Sequence, residues 1–529
     1  MFRRLIRKKH FRTLLAQLRG AKNLRDRGTP FFVNETVSSL TEVHIGLKDS
    51  DFPKVLVGPH GPISEILLRQ IFLHKFKEIC SASMQSIGSG KSLSLALPSS
   101  WRKHLADNGI ICSEFHCRVS LFFSALRAVA VGFVKSLILF YPFNKPMNPD
   151  CPYVVFVNLL ERYLPETLNK KSYDLISWYK ESILKKPSIE KIWAQVRTKV
   201  EKDYKAPDDL IVTRSIFPKL ASFSGYVRYF FRNICALFVA TFGVLTGKWW
   251  YGYLYHENIF FNYFSLLNTD QFADEYFFGT DAWFHKPLWA HEAERKGLSA
   301  SLYCWSVNME KHWYDEHKEP DTHGCKTMTW NRFIVWNKQQ EGFFKRYRPQ
   351  ASYTRVGYVN HTGSVINYTR KKGIRLLSVF DITPMRPIMY TSDGFARAPF
   401  SEEMILMFLE DIIKVCDDEW EILWKPKRVV GHNFVSNAFQ QKRIKLIKNH
   451  MIHLDPTIAA VSLVEISDAV ISIPFTSPSL IAKVKGIPSV YYDSSGQVKK
   501  KENHGLPVLK NKVELKEWFE SLPVNIAIP

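Results

Sequence analysis

The sequence predicts an α/β protein of two domains, the second built on a parallel sheet, and three observations carry that expectation. The chain has 529 residues, too many for one ordinary core. From about residue 375 onward, short apolar runs alternate with amphipathic helical stretches, the pattern of βαβ units whose strands pair in parallel. The sharpest such unit is residues 467–493, SDAVISIPFTSPSLIAKVKGIPSVYYD.

In that unit residues 469–473 form a β-branched apolar run, the signature of a strand buried on both faces. Pro474 stops it. Thr476-Ser477-Pro478 reads as a helix start, with Ser477 expected at the N-cap and Pro478 at the first helical position. The helix 479–485 ends at Gly486, and residues 489–492 make the next strand, closed by Asp493. A strand, turn and helix in this order leave free N–H groups and the positive end of a helix dipole at the strand's carboxyl edge. That geometry suits a phosphate, and the Thr476 and Ser477 hydroxyls add to it; a merely capped helix is the plain alternative.

The preceding units read the same way. Residues 375–380 form a strand ending in Asp381-Ile382-Thr383-Pro384, and 400–416 an amphipathic helix with Ser401 as N-cap and Glu402-Glu403 in its first turn. Residues 420–424 form a strand ending in Lys425-Pro426-Lys427-Arg428, and 452–454 lead through Asp455-Pro456 into a helix 457–467. Ligands of open α/β sheets collect at strand carboxyl ends, so these polar loops are expected around one site.

Pro474-Phe475-Thr476-Ser477, together with Glu275-Tyr276-Phe277-Phe278, Pro287-Leu288-Trp289, Val379-Phe380-Asp381-Ile382-Thr383-Pro384 and Lys425-Pro426-Lys427-Arg428, resembles the bacterial polysaccharide-biosynthesis family named for its PFTS motif. The segments run in the family's order across residues 255–510, about half the chain. The resemblance implies a GT-B glycosyltransferase, with two Rossmann-like domains facing across a cleft. It implies a nucleotide-sugar donor as substrate with no further cofactor, and a glycan or lipid-linked glycan as acceptor. Donor-binding roles then fall to Asp381, Thr383, Lys425, Lys427, Arg428, Thr476 and Ser477, with Glu465 as a candidate for a ribose hydroxyl, although a surface carboxylate is its stronger reading. Lysine and arginine there would neutralise phosphate and the charge of the departing nucleotide.

A catalytic base, where one is used, would come from the first domain, with Asp281, His291, Glu292 and Asp270 as candidates. A metal-dependent transferase of the other common fold would carry Asp-x-Asp at a strand end; none is expected there, so no metal is expected in the reaction. The hydroxyl pair resembles the phosphate site of sialyl- and Kdo-transferases and points to a CMP-linked acidic sugar. Lys425-Pro426 stands where those enzymes often carry a His-Pro pair, and UDP- and GDP-sugars stay open. Two other readings are a nucleotide-sugar epimerase of the same fold and a non-catalytic membrane-bound subunit of a polysaccharide assembly complex.

The formal charge of +22 is unevenly placed. Residues 1–27 hold ten Lys/Arg and one acid, with Phe2, Leu5, Ile6, Phe11, Leu14, Leu15 and Leu18 interleaved at helical spacing. Such a helix suits an anionic membrane surface, and a solvated tail is the bland alternative. Zinc-finger spacing, RNA-binding motifs and heptads are missing, so nucleic acid is not expected as a partner. The eight cysteines include no C-x-x-C pair, which argues against a disulfide framework and for a reducing compartment.

Two apolar stretches bear on location. Residues 119–143 contain Arg127 and Lys135, which suits a buried or interfacial helix; residues 234–246 are uncharged and flanked by Arg228, Arg232 and Lys248-Trp249-Trp250-Tyr251. A peripheral protein on the cytoplasmic face of the cell membrane is therefore expected. The expected divisions are a basic segment 1–30, a first domain 31–345 with a hydrophobic insertion at about 217–255, a second domain 346–510, and a C-terminal helix and tail 511–529. Within the first domain, 53–62, 92–98, 299–305 and 332–336 read as strands, and 158–232 as charged helical segments and loops. Residues 276–337 are rich in Trp and His, suited to a sugar acceptor or simply to core and surface. Gly88-Ser89-Gly90-Lys91-Ser92 is not a phosphate loop, because Gln85 stands where that pattern requires glycine.

Overall fold

The computed structural model describes residues 2–141, 146–165, 174–200, 202–279, 284–307, 311, 313–314, 318–321, 324–359, 368–397, 400–428, 435–499 and 503–523. Two parallel sheets organise them. The first contains β1 (Tyr153–Leu159), β2 (Lys191–Val196), β3 (Leu210–Thr213), β4 (Glu275–Gly279), β5 (Ser299–Tyr303), β6 (Arg332–Val335) and β7 (Ser352–Arg355), in the order 3-2-1-4-5-6-7. The second contains β8 (Arg375–Phe380), β9 (Trp420–Lys425), β10 (Ile452–His453), β11 (Ala469–Ser472), β12 (Ser489–Tyr492) and β13 (Val508–Leu509), in the order 10-9-8-11-12-13. Both follow the doubly wound 3-2-1-4-5-6 pattern, the first with one strand more. Each therefore has a switch point where the winding reverses, between β1 and β4 and between β8 and β11.

Several expectations for the first half are corrected. Residues 54–57 form a helical turn between Pro53 and Gly58, and Leu93 makes only an isolated bridge with Cys112. A three-residue apolar run cannot by itself distinguish strand from helix. The stretch 158–232 holds β2 and β3, which charged flanks and short length conceal in the sequence. The first sheet continues past residue 345, since β7 pairs with β6 from Arg332↔Ser352 to Val335↔Arg355. The Lys512–Glu520 helix belongs to the second domain, where it buries Leu515 and packs Phe519 edge-on against Trp420 at 5.6 Å.

The basic N-terminal helix, Phe2–Asp26, is not a free arm. Ala16, Ala21 and Leu24 are buried, and the helix crosses Phe76–Ser89 with backbones nearly touching. A Cβ at Gly88 would lie 1.8 Å from the Ala16 carbonyl oxygen, and one at Gly20 2.2 Å from that of Met84. This helical layer also reaches the second domain. Asn34 N donates to Gly394 O at 3.2 Å, Ala396 N to Pro30 O at 2.7 Å, and Asn34 Nδ2 to Asp393 O at 2.8 Å.

The two apolar stretches become three packed helices, Glu114–Phe140, Phe223–Leu245 and Trp250–Ser265. Gly247, with φ +89°, breaks the last two apart. Trp250–Ser265 is buried, whereas Glu114–Phe140 and Phe223–Leu245 ride on it with one face outward. By length and composition these two outer helices are apolar enough to cross a membrane.

Candidate functional site at the carboxyl edge of the second sheet

Strand register brings three loops together. Phe380 pairs with Lys425 on one side and Ser472 on the other, so Asp381, Pro426 and Ile473 leave the sheet side by side at the switch point. Asp381 is buried and accepts a hydrogen bond from Lys427 N at 2.8 Å. Burial pushes its carboxyl up to about 7, against the pull of the Lys427 amide, Lys425 and Arg443. Burial likewise brings the Lys425 ammonium down to about 8, although Asp381 and Asp455 oppose it. The Lys427 and Arg428 side chains reach solvent at the mouth. Desolvation by the surrounding protein lowers the Lys427 pKa, the neighbouring Arg428 lowers it further, and Asp381 opposes both.

The PFTS turn closes the site from β11. Phe475 adopts φ +61°, a left-handed conformation that costs a bulky residue energy and persists only where packing enforces it. The packing is present: Phe475 stacks on Tyr491 at 5.7 Å, and Tyr491 OH donates to Thr476 O at 3.1 Å. Behind the turn, Ser472 and Ser479 hydroxyls lie 2.7 Å apart, and Ser479 Oγ donates to Val490 O at 2.9 Å.

The helix Ser477–Val484 begins one residue earlier than expected. Thr476 is the N-cap residue, with Ser477 and Pro478 in the first turn, so the cap assigned to Ser477 is corrected. Thr476 Oγ1 does not cap either; it donates to Ile473 O at 2.7 Å, which commits its proton to the turn. The first-turn amides of Ser477 and Ser479 are thus left without a side-chain cap, pointing out of the sheet's carboxyl edge.

Three more buried donors lack hydrogen-bond partners among the described residues: Thr383 Oγ1 and Arg386 Nε in the loop after β8, and Arg443 Nε on a helix. Buried polar atoms are ordinarily satisfied, so Thr383, two residues past Asp381, and Arg443, whose charge acts on Asp381, leave donors open at the switch point. Arg386 and Arg443 were not anticipated. Arg443 lies on Asn437–His450 with its guanidinium 5.7 Å from the Trp424 ring, and only the fold brings it to Asp381.

Glu465 is not in this group. It ends the Ala460–Glu465 helix at the opposite, amino edge of the sheet and pairs with Lys485 at 2.6 Å. Asp270 is corrected for the same reason, standing in a turn that precedes β4 at the amino edge of the first sheet. Asp281 lies outside the described residues. His291 and Glu292 sit in Leu288–Arg295, the helix after β4. Burial, with Lys286, His60, His285 and Arg348 nearby, holds His291 neutral with a pKa of about 2, and its Nε2 lies 3.1 Å from Thr329 Oγ1.

Burial would raise the Glu292 carboxyl, but two bonds from Arg295, both 2.7 Å, and one from His60 at 3.0 Å bring it below the ordinary carboxylate value. Among the described residues no hydrogen bond or ion pair links His291 or Glu292 to the donor loops. His285 has no such link either, but it follows β4 beyond the carboxyl edge of the first sheet. Its Nε2 faces Glu257 Oε1 at 3.4 Å, and its Nδ1 is buried without a partner among the described residues.

The two domains meet over the PFTS turn. Asn337 Nδ2, at the carboxyl end of β6, lies 3.2 Å from His504 Nδ1, and the His504 ring packs 6.0 Å from Phe475. Trp313, in the loop after β5, packs on Phe400 at 5.8 Å. Among the described residues no group of three or more His, Cys, Asp or Glu could hold a metal ion. The chain's Asp-x-Asp, Asp49-Ser50-Asp51, lies in the helical layer as a single turn and follows no strand.

Two doubly wound parallel sheets, with a strained, amide-presenting turn at the switch point of the second, define a GT-B-type protein. The family model described as "Polysaccharide biosynthesis PFTS motif protein" matches residues 232–519, more than half of the chain, and the chain belongs to that family. No curated protein matches it. Among solved structures it is similar to the wall teichoic acid polymerase TagF (11% identity, 76% of this chain and 88% of that one, TM-score 0.37). It is also similar to a putative UDP-N-acetylglucosamine 2-epimerase from Listeria monocytogenes (10%, 71% and 88%, TM-score 0.35). A third similar structure is the calicheamicin glycosyltransferase CalG4 (11%, 70% and 89%, TM-score 0.33). The fold assignment itself stands on the strand order of the two sheets.

Proposed function

We propose that this protein is a glycosyltransferase of bacterial surface polysaccharide biosynthesis, moving a sugar from a nucleotide-activated donor to a glycan or lipid-linked acceptor. The observation that carries the reading is the set of orphaned donors at the second switch point: Thr383 Oγ1, Arg386 Nε, Arg443 Nε and the uncapped amides of Ser477 and Ser479. A phosphate would satisfy them, with Lys425 and Lys427 supplying charge as the nucleotide departs. Glu292 and His291 support the fold of the first domain. The acceptor's base is His285, oriented by Glu257, whose carboxylate stays ionised: burial raises it, but His285, His256 and the Leu288 amide outweigh that and hold it near 2.

A CMP-linked acidic sugar is the first donor to test, although Thr476's commitment to Ile473 leaves Ser477 as the available hydroxyl of the pair. The enzyme works at the cytoplasmic face of the membrane, in keeping with eight unpaired cysteines and two outward-facing apolar helices. Incubation with a panel of CMP-, UDP- and GDP-sugars and acceptor tests the reading. Transfer supports it; release of an epimerised free nucleotide sugar, or no nucleotide binding at all, overturns it.

A further inference from the structure

The outward faces of Glu114–Phe140 and Phe223–Leu245 carry large apolar side chains where a soluble protein would place polar ones. Phe115, Phe123, Ile138, Phe238, Phe242 and Leu245 are each 63–72% exposed. They recur at helical spacing, so each helix has an apolar stripe outward and another inward. The inward stripes are fixed to the domain. A Cβ at Gly132 would lie 2.9 Å from the Tyr255 ring, and one at Gly252 2.4 Å from the Ala125 carbonyl oxygen. Tyr253 OH donates to Ser124 Oγ at 2.8 Å. To cross a bilayer these helices would have to shed that packing, whereas lying in an interface uses only the stripe already exposed.

Charge identifies what covers the face. Over these 27- and 23-residue helices Glu114 is the only acid, and Arg102 and Arg118 already hold it at 2.7 Å. Against it stand Arg118, Arg127, Lys135, Arg228 and Arg232. A second copy of the chain related by a two-fold axis would bring this basic face against itself. Beside the stripe, Val55, Phe231 and Phe261 wall an open recess of about 460 Å³ whose lining also includes Lys54, Arg232 and the buried Asn262. Neither Lys54 nor Arg232 pairs with a carboxylate among the described residues. Cations beside an apolar wall match a phosphodiester attached to acyl chains.

We infer that this face docks peripherally on an anionic phospholipid leaflet, with a lipid phosphate seated in the recess between Lys54 and Arg232. The inference rests on the membrane part of the reading above and is independent of the sugar chemistry. Co-sedimentation of the full chain with phosphatidylcholine vesicles, with and without phosphatidylglycerol, tests it. Partition is expected to require phosphatidylglycerol and to fall with salt.

Phe238→Ser with Phe242→Ser should lower partition by at least ~10-fold. Arg232→Gln and Lys54→Gln should lower it about fivefold each. All four positions are remote from the donor loops, so nucleotide binding measured on the same preparations should not change, which separates failure of docking from failure of the glycosyltransferase reading. Equal binding to neutral vesicles overturns the phosphate seat. Retention in alkaline-washed membranes shows spanning helices and overturns peripheral docking. A wild-type dimer that the phenylalanine variants dissolve assigns the face to self-association and overturns the inference.

Discussion

In the first domain the buried carboxylate of Glu292 meets three donors, two from Arg295 and one from His60. In the second domain the buried carboxylate of Asp381 meets the Lys427 amide, with the Trp424 indole beside it, and lies among Lys425, Lys427 and Arg443. The first group is closed: every charge has an opposite within reach, and the carboxyl sits below its ordinary value. The second holds a surplus of cations and orphaned donors, and burial, against the pull of those cations, drives its carboxyl up to about 7. A buried cluster that satisfies itself holds a fold together, whereas one left unsatisfied has been built around a missing partner.

The largest expected effect tests the open cluster. Lys427→Met should lower kcat by ~100- to 1000-fold if that ammonium stabilises the departing nucleotide, with the thermal midpoint unchanged because the side chain reaches solvent. Stopped or quenched-flow assays of the folded variant check this. The closed cluster should answer in the opposite way. Glu292→Gln leaves the Arg295 and His60 donors short of an acceptor, at a cost of ~1–3 kcal/mol, with turnover per folded molecule nearly unchanged. Undiminished stability together with collapsed turnover would invert the comparison and make Glu292 the catalytic group.

The pH dependence should separate the two as well. Ionisation of Asp381 near pH 7 and loss of the Lys425 proton near pH 8 both remove positive charge from the donor site, so donor affinity should fall from pH 6 to pH 9. Isothermal titration should show the lower step vanish in Asp381→Asn and the upper one remain. Stability follows the same carboxyl. Its folded pKa lies above the ordinary 3.8, so the stability it contributes is full below about pH 4 and lost as pH rises through about 7. Asp381→Asn should therefore gain stability over wild type progressively across that window.

The smallest effects distinguish the two hydroxyls of the PFTS turn. Thr476→Val removes a buried bond to Ile473 O and should cost ~1 kcal/mol of stability, with donor affinity little changed. Ser477→Ala should leave stability unchanged or raise it by a few tenths of a kcal/mol, since alanine is the better helix former and Ser477 is not the cap, but should weaken donor binding several-fold. Equal donor affinity in both variants would move the phosphate away from this turn.

Much of the second domain was legible because its signals are local. The apolar run of β11, Pro474 as a stop, Pro478 in a first helical turn and Ser401 capping Glu402–Val415 each follow from neighbours in sequence. β2 and β3 were not legible, because Lys191 and the Asp208-Asp209 pair around short runs imitate loops. Placing the helix start one residue late reversed the roles of Thr476 and Ser477, which no local pattern resolves, since both residues favour caps.

The sequence by itself determined the alternation of strands and helices, the family motifs, the uneven positive charge and the loops that carry the site's cations, since propensity, period and composition are properties of contiguous residues. Only the tertiary structure decided which candidates share an edge. It put Asp270 and Glu465 at amino edges, brought Arg443 across to Asp381, closed Glu292 with His60, and turned the N-terminal helix from a free arm into a packed layer. The physical reason is that edge, burial and pairing are set by strand order and helix crossing, and these depend on residues hundreds of positions apart.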